Sequence, residues 1–469
     1  MANVVSKDAQ PTIDYLASAF KKPTYDARIA DTKYDYFYPI SGTKNTSCLR
    51  WTIPHSTGGY VPNMEKMVLA PELKITNRAK TGRPTDDIKS GPCNNFINSI
   101  FASLRICYNS TCVLKIDHYP IYNYTRMLLN NDSNDLTTWA ENRCFFQEGP
   151  EEDLDDINTQ GWTKRRNCFG TTLKQPAKLE SGSNNPDAAL DGKFRYSETA
   201  NFFLGTLDHF LPQPAILKNI DVHIELDLNS PKYVFQSEDD TAENTDINFS
   251  FERCRLFVPF IKLNDQLYLQ LENRLKNDAM RQFFTSTQID THAISTGDKT
   301  ATFSSIAPGQ YPSRLFILLQ ETDRLQGKFS LNSLKFSRKL NDDDPFRLDS
   351  LSVTINNQEV EGLAMDDAVN SFRDQYFRLF HLTNMDNGKS ACSITYRDFK
   401  HKSCFLVYDF TSTLNGTEPP LLPLLSKGNL RVQLNFNKPT TCPITMITMV
   451  ELQSSITLDN NGKTVLSTI

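Results

Sequence analysis

The sequence predicts an all-β chain with short helices, built as two β-rich halves, and three observations predict it. Strict apolar–polar alternation recurs along the 469 residues, most cleanly where Ile220, Val222, Ile224, Leu226 and Leu228 alternate with Asp221, His223, Glu225 and Asp227. That is the period of a strand with one buried and one wet face. An alternating strand, a turn-rich loop and a long terminal strand then occur twice, offset by on the order of 200 residues. Finally, long loops separate the strands. Neither a β-α-β rhythm nor the short, regular turn spacing of an immunoglobulin-type sandwich is present.

Composition agrees. Phe (30) and Tyr (17) are abundant while Gly is only 19, which favours packed faces over low-complexity chain. Hydrophobic residues at 39% can fill sizeable cores. Length allows about three average domains, or two large all-β domains of roughly 200–250 residues each.

Taken in order, residues 1–44 read as an N-terminal arm. They mix Lys21-Lys22-Pro23 with Tyr34, Tyr36, Phe37 and Tyr38 and keep no period, and the aromatics predict packing beneath the body or against a neighbouring subunit. Residues 45–264 read as the first roll. Its early strands fall at 48–53 and 66–75, split by His55-Ser56-Thr57-Gly58-Gly59. Phe96, Ile97, Ile100 and Phe101 have helical spacing. A hairpin follows: Leu104, Ile106 and Tyr108 alternate with polar neighbours, Asn109-Ser110-Thr111 turns, and Val113, Leu114 and Ile116 return. A helix over 119–129 carries Tyr119, Tyr122 and Leu129 on one face. Residues 144–192, rich in acid, Asn, Gly, Ser and Pro, predict a long exposed surface insertion. An acidic loop at 237–246 leads to a strand over 248–263.

Leu267, Leu271 and Leu275 predict a linker helix over 265–280, opening the second roll, 265–469. Strands follow at 315–320 and 351–355, the latter ending in an Asn356-Asn357 turn. A helix over 366–382 places Val369, Phe372, Tyr376 and Leu379 on one face. Strand 405–410, the alternating Leu430, Val432, Leu434 and Phe436, and a long strand over 444–458 complete it. Two such halves suit a double jelly-roll, two eight-stranded β-sandwich barrels side by side.

Reactive motifs are missing. Net charge is −5, and the one compact basic run, Lys164-Arg165-Arg166, reads as a solvated loop, so direct nucleic-acid binding is not expected. The seven histidines form no H-E-x-x-H, and His223 on the polar side of its strand reads as solvent-facing. Cys107 and Cys112 with His118 could suggest zinc, but no second cysteine pair accompanies them, and cross-strand or buried thiols are favoured. Asp342-Asp343-Asp344 lacks EF-hand spacing and reads as a solvated turn. No P-loop, G-x-G-x-x-G or G-x-S-x-G occurs. Catalytic, cofactor-binding and metal-ligating residues are therefore expected to be none, and the cofactor none. The opening residues are polar, and no apolar run approaches the ~20 residues of a membrane span, so no signal peptide, no transmembrane segment and no structural disulfide are expected.

The stretch 92–130 also carries a resemblance. Asn95-Phe96, Ser99-Ile100-Phe101, the hairpin, Tyr119-Pro120 and a helix ending Leu128-Leu129-Asn130 resemble the N-terminal half of the Polinton/Maverick (adintovirus-like) major capsid proteins. Those are double jelly-roll capsid proteins of the adenovirus and tailless-phage lineage. The likeness continues through Asn201-Phe202-Phe203, Leu211, "ILKNIDVHIELDLNSPKYVF", "FERCRLFVPFIKL", "SRLFILLQETDRLQGKFSLNSLKF", "LDSLSVTINNQEVEG" and "SKGNLRVQLNF" followed by "ITMITMVELQSSITL". No counterpart is evident for 144–192. The resemblance implies a structural major capsid protein, not an enzyme, whose pseudo-hexameric homotrimers tile the icosahedral shell of a double-stranded DNA virus or virus-like transposon. It further implies penton and minor capsid proteins as partners, synthesis in the host cytoplasm and residence in the virion. A jelly-roll carbohydrate-binding or glycoside-cleaving protein is the alternative that fold class alone permits.

Overall fold

A computed structural model describes residues 29–42, 46–55, 59–77, 90–131, 140, 144–149, 152–167, 191–194, 202–203, 220–238, 247–277, 280–309, 311–365, 371–383, 392–411, 428–458 and 464–468. The first half contains β1 (Ile29–Phe37), β2 (Cys48–Ile53), β3 (Tyr60–Pro62), β4 (Val68–Asn77), β5 (Ser90–Pro92), β6 (Phe101–Tyr108), β7 (Thr111–Ile116), β8 (Asp191–Phe194), β9 (Phe202–Phe203), β10 (Val222–Leu228), β11 (Phe235–Ser237) and β12 (Ile247–Leu263). The second contains β13 (Met280–Ile294), β14 (Thr300–Ile306), β15 (Arg314–Glu321), β16 (Lys339–Leu340), β17 (Phe346–Ile355), β18 (Gln358–Ala364), β19 (Leu406–Asp409), β20 (Leu430–Phe436), β21 (Ile444–Leu458) and β22 (Thr464–Thr468). The helices are α1 (Phe96–Ser99), α2 (Tyr119–Asn130), α3 (Gln160–Asn167), α4 (Pro231–Val234), α5 (Asp265–Asn277), α6 (Thr322–Gln326), α7 (Ser371–Leu382) and α8 (Tyr396–His401).

The halves share one plan. In the first, one sheet has the order β1-β12-β4-β8 with β9 also on β4, and the facing sheet runs β2-β10-β6-β7. In the second, the orders are β13-β21-β15-β19 and β14-β20-β17, with β18 paired to β17. Taken in chain order, β1, β2, β4, β6, β7, β8, β10 and β12 therefore correspond to β13, β14, β15, β17, β18, β19, β20 and β21. The pairings between these strands are antiparallel. Each half is a jelly roll, and the chain is a double jelly-roll.

Residue chemistry explains the strands. Val222, Ile224 and Leu226 each expose 1%, while His223 and Glu225 are half-buried on the other face. In register, Ile224 lies between Trp51 and Ile106, and Glu225 between Arg50 and Arg105. β20 repeats this with Leu430, Val432, Leu434 and Phe436 inward. The β17–β18 turn places Asn356 and Asn357 at φ 51° and 66°, the left-handed geometry a tight hairpin demands and asparagine tolerates.

Several expectations change. Ile29–Phe37, inside the stretch read as an arm, is an edge strand hydrogen-bonded to β12, and its Tyr34 and Tyr36 lie outward, each 59% exposed. Among the described residues, Phe257 and Arg255 lie beside them. Residues 144–149 and 152–167 are not an exposed insertion: Cys144, Phe145, Trp162 and Arg165 are buried. Their polar composition fits because the charges find partners inside the protein, as described below. The region 168–190, the acidic loop at 239–246 and the helix start at 366–370 lie outside the described residues. The 15-residue strand β13 was not anticipated. Its Thr, Ser, Gln and Asp residues blur the alternation around Phe284 and Ile289, both buried.

Leu434 is fully buried in the middle of β20. Leu434→Ala should destabilise the second roll by about 2–5 kcal/mol, whereas Arg431→Ala on the exposed side should stay within about 0.5 kcal/mol. Urea unfolding followed by tryptophan and far-ultraviolet signals measures both.

Candidate functional site at the seam between the rolls

The helix α2 shows where the seam runs. Ten of its twelve residues are buried, so it is covered on nearly every side instead of presenting a polar face to water. Pro120 sits in its first turn, where the missing N–H costs nothing, after His118 at φ 52°. One side of α2 packs on α1 and β6 of its own roll, and the other meets the second roll. From the latter side Arg126 reaches Glu451 in the middle of β21, Nη2 to Oε1 2.8 Å. Arg314 of β15 takes the other oxygen, Nε to Oε2 2.6 Å. Glu451 is 1% exposed, so two guanidinium groups hold one carboxylate out of water. The Tyr122 ring faces Arg126 at 5.5 Å. Beside α2, Leu128 O accepts from Ser393 N at 3.2 Å.

Residues 144–167 continue the seam as a buried strap. Arg165 of α3 and Glu148 are 0% and 1% exposed, paired at 2.5 Å. Arg165 Nε also donates to Pro92 O of β5 at 3.2 Å. Space for the pair depends on Gly161, whose missing Cβ would collide with the Glu148 carboxylate. From the second roll, Lys402 donates to Gly149 O at 2.7 Å and pairs with Asp398 at 3.0 Å. Asp398 in turn closes a capping box with Thr395 at the start of α8. A cavity of ≈ 10 Å³, room for about one water, lies among Tyr124, Glu148, Asp398 and Lys402.

Farther along, Asp155 meets Arg324 at 2.6 Å, Lys335 at 2.8 Å and the Asn332 N–H at 2.7 Å. Burial raises its pKa, but the neighbouring cations and these hydrogen bonds outweigh that and hold it below the usual carboxylate value. Gln236 donates to Leu154 O at 3.0 Å, and Ser333 donates to Tyr233 O at 2.7 Å. At Gly327, with φ +83°, a Cβ would stand 2.7 Å from the Tyr233 backbone nitrogen, so only glycine allows the rolls this close.

The residues considered for metal or catalysis have structural surroundings. Cys107 and Cys112 oppose each other across β6 and β7 as thiols, and burial, with Cys112 alongside, pushes Cys107 up to about 11. Cys93 is likewise pushed to about 11 by burial. Thiols in that range stay protonated at neutral pH and are poor nucleophiles and ligands. His223 hydrogen-bonds Thr52 Oγ1 at 2.9 Å, and His55 bonds Asp221 at 2.7 Å. His118 is half-buried at the start of α2, where burial lowers its pKa. Asp344 pairs with Lys438, while Asp342 stands 3.6 Å from Lys335. Among the described residues, Asp153, Asp155 and Asp342 are the one grouping of three metal-type ligands. Lys335 bonds Asp153 and Asp155 at 2.8 Å each and fills the cation's role. The basic run read as solvated is split: Arg165 is buried in its ion pair, and Arg166 lies over Trp162 at 5.5 Å. The seam can therefore lock bodies together, and among the described residues it holds no assembled nucleophile–base pair.

Two variants test it. Arg126→Met leaves Glu451 short of one partner and should lower stability by about 3–5 kcal/mol, read as a drop in the urea midpoint. Because Asp155 has a depressed folded pKa, the stability it contributes is present above the unfolded value near ~4 and is lost as pH falls through the lower folded value. Asp155→Asn should destabilise the protein at pH 7 by about 3 kcal/mol and flatten the acid side of its stability–pH curve.

No protein-family model matches the chain, and no curated protein matches its sequence. Solved structures do match its fold. The cryo-electron microscopy structure of the Sputnik virophage aligns over 96% of this chain and 90% of that one, at TM-score 0.60 and 13% identity. The Faustovirus major capsid protein aligns over 96% and 95%, at 0.52 and 8%. VP54 of PBCV-1, as fitted into a reconstruction of the virophage Sputnik, aligns over 96% and 99%, at 0.50 and 10%. Nearly the full length of the chain, both rolls included, thus has the double jelly-roll fold of these proteins.

Proposed function

We propose that the chain is a structural, self-assembling major capsid protein. Its homotrimers would present six roll-sized lobes and tile the icosahedral shell of a double-stranded DNA virus or virus-like transposon. The observation that carries the reading is the strand-for-strand repeat of one roll within a single chain, clamped by a charged seam. Two near-equivalent lobes in a rigid subunit turn a closed three-fold ring into a pseudo-hexagonal tile. The fold shared with the Faustovirus major capsid protein supports it. Penton and minor capsid proteins would complete the shell, and the assembled protein would reside in the virion. Among the described residues no helix is long and apolar enough to cross a membrane.

The carbohydrate alternative gains no support from the geometry. A glycosidase needs two carboxylates facing a sugar across a cleft, whereas the grouped carboxylates here are tied to Lys335 and Arg324.

Light scattering on purified protein should give three times the 53.4 kDa chain mass, with an interface of roughly 2,000 Å² or more per contact, characteristic of obligate assemblies. Negative-stain microscopy should show hexagonal tiles or closed shells. A stable monomer at micromolar concentration would sink the reading.

A further inference from the structure

The tip of the β6–β7 hairpin carries two cysteines that the seam does not use. Ile106 pairs with Leu114, and the next pair is Cys107 with Cys112, so Val113 is an extra residue in β7. A bulge of this kind re-aims the side chains beyond it. Val113 and Leu114 are both buried, and Cys112 comes round to the half-buried outer side of the sheet, opposite Cys107. An unbroken ladder would have set Cys107 against Val113 and Cys112 against Tyr108, on opposite faces of the sheet. The bulge therefore makes the two thiols neighbours. Directly opposed antiparallel residues stand about 4.5–5.5 Å apart between Cα atoms, within the range of about 4.4–6.8 Å that a disulfide spans.

The surroundings leave the pair to itself. In register across the outer face, the row runs Thr52, His223, Cys107, Cys112, and His223 is engaged with Thr52 at 2.9 Å. Cys112 Sγ donates to Leu114 O at 3.6 Å. Burial, then Cys112 alongside, hold the Cys107 thiol protonated; Glu225 adds to this and Arg105 opposes it. Both cysteines are half-buried, within reach of a small solute, whereas Cys93, Cys144, Cys254 and Cys404 are buried. Among the described residues no other two cysteines are strand partners.

We propose that Cys107 and Cys112 form a reversible redox staple, open in a thiol-rich compartment and closed to a disulfide by a low-molecular-weight disulfide such as glutathione disulfide. One protein thiol loses its proton, and its sulfur attacks the small disulfide, giving a mixed disulfide and one small thiol. The opposing protein sulfur, deprotonated in turn, attacks the mixed disulfide at the protein sulfur, and the second small thiol leaves. Two protein S–H bonds give way to one S–S bond, and both electrons and both protons end on the two small thiols. Because β7 lies against β13 and β22 of the second roll, the closed staple stiffens one wall of the contact between the rolls. The inference rests on the hairpin alone and is independent of the assembly reading.

The test uses the full-length chain, purified in reductant, desalted and incubated with glutathione disulfide at about pH 8.5, where a thiol of ordinary pKa is half ionised. Free thiols are then capped with iodoacetamide. Trypsin, cutting after Arg105 and Lys115, releases the peptide Ile106–Lys115 with both cysteines in it. Before oxidation the peptide should carry two caps. Afterwards it should carry none and be two hydrogens lighter, in about tenfold excess over its glutathione adduct because the second thiol is already in place. Dithiothreitol should restore both caps. Cys107→Ala and Cys112→Ala should each stop at the glutathione adduct; should either fail to fold, the wild-type peptide decides alone. A folded wild type whose peptide keeps both caps, or halts at the adduct, would overturn the staple. So would a bridge from either cysteine to a third, or one that forms only in urea.

Discussion

Charge that leaves water must find an opposite charge at hydrogen-bonding distance, and the arrangement of the two rolls depends on this constraint. Glu148, Glu451 and Asp155 are each met by at least one guanidinium or ammonium group within 2.5–2.8 Å. Desolvation offsets much of the attraction in such pairs, so their contribution to net stability is modest. Their geometric demand is severe. An apolar seam tolerates sliding by a fraction of a turn, because one methyl replaces another. Here a small slip would strand Glu451 or Arg165 without a partner, at a cost of several kcal/mol. The charged seam acts as a registration device that holds one roll against the other in a single pose.

That pose explains why two equivalent strands have such different sequences. Both β12 and β21 lie beside the first strand of their rolls. β12 mixes buried with exposed and half-buried positions from Ile247 to Phe257, where water reaches its outer side, before a buried stretch from Val258 to Ile261. β21 reads as a nearly unbroken buried run, Ile444 to Leu458, because the other roll covers it. A repeated fold thus diverges in sequence wherever its copies meet different neighbours. The negligible identity between the halves follows from packing, with no difference in strand order required.

Much of the fold was legible because alternation is local. β10, β20 and the β6–β7 hairpin each announce their buried side within a few residues. The seam was not legible, since its partners lie far apart in sequence: Arg126 and Glu451 are separated by 325 positions, Asp155 and Arg324 by 169. Residues 144–167 have the acid-rich composition of a surface loop. What set them apart was Cys144-Phe145-Phe146 and Trp162, too much apolar surface for a solvated segment. Tyr34 and Tyr36 belong to an edge strand that alternation did not reveal, because its polar and aromatic positions alike are exposed or only half-buried.

The strand order has a consequence for how the chain is made. In the second roll, β13 hydrogen-bonds to β21 along its full length, pairing residues as far apart as Arg281 and Thr457. During synthesis, β13 and β15 emerge with unsatisfied edges and wait on the order of ten seconds, at ~5–20 residues per second, for the strand that belongs between them. The first roll can close as soon as β12 appears, well before then. A nascent chain therefore passes through a state with one finished lobe and one open, Phe- and Ile-bearing sheet, the kind of non-local intermediate that folds slowly and aggregates readily. Translation pace and chaperone supply are then as decisive for the yield of this protein as its final stability.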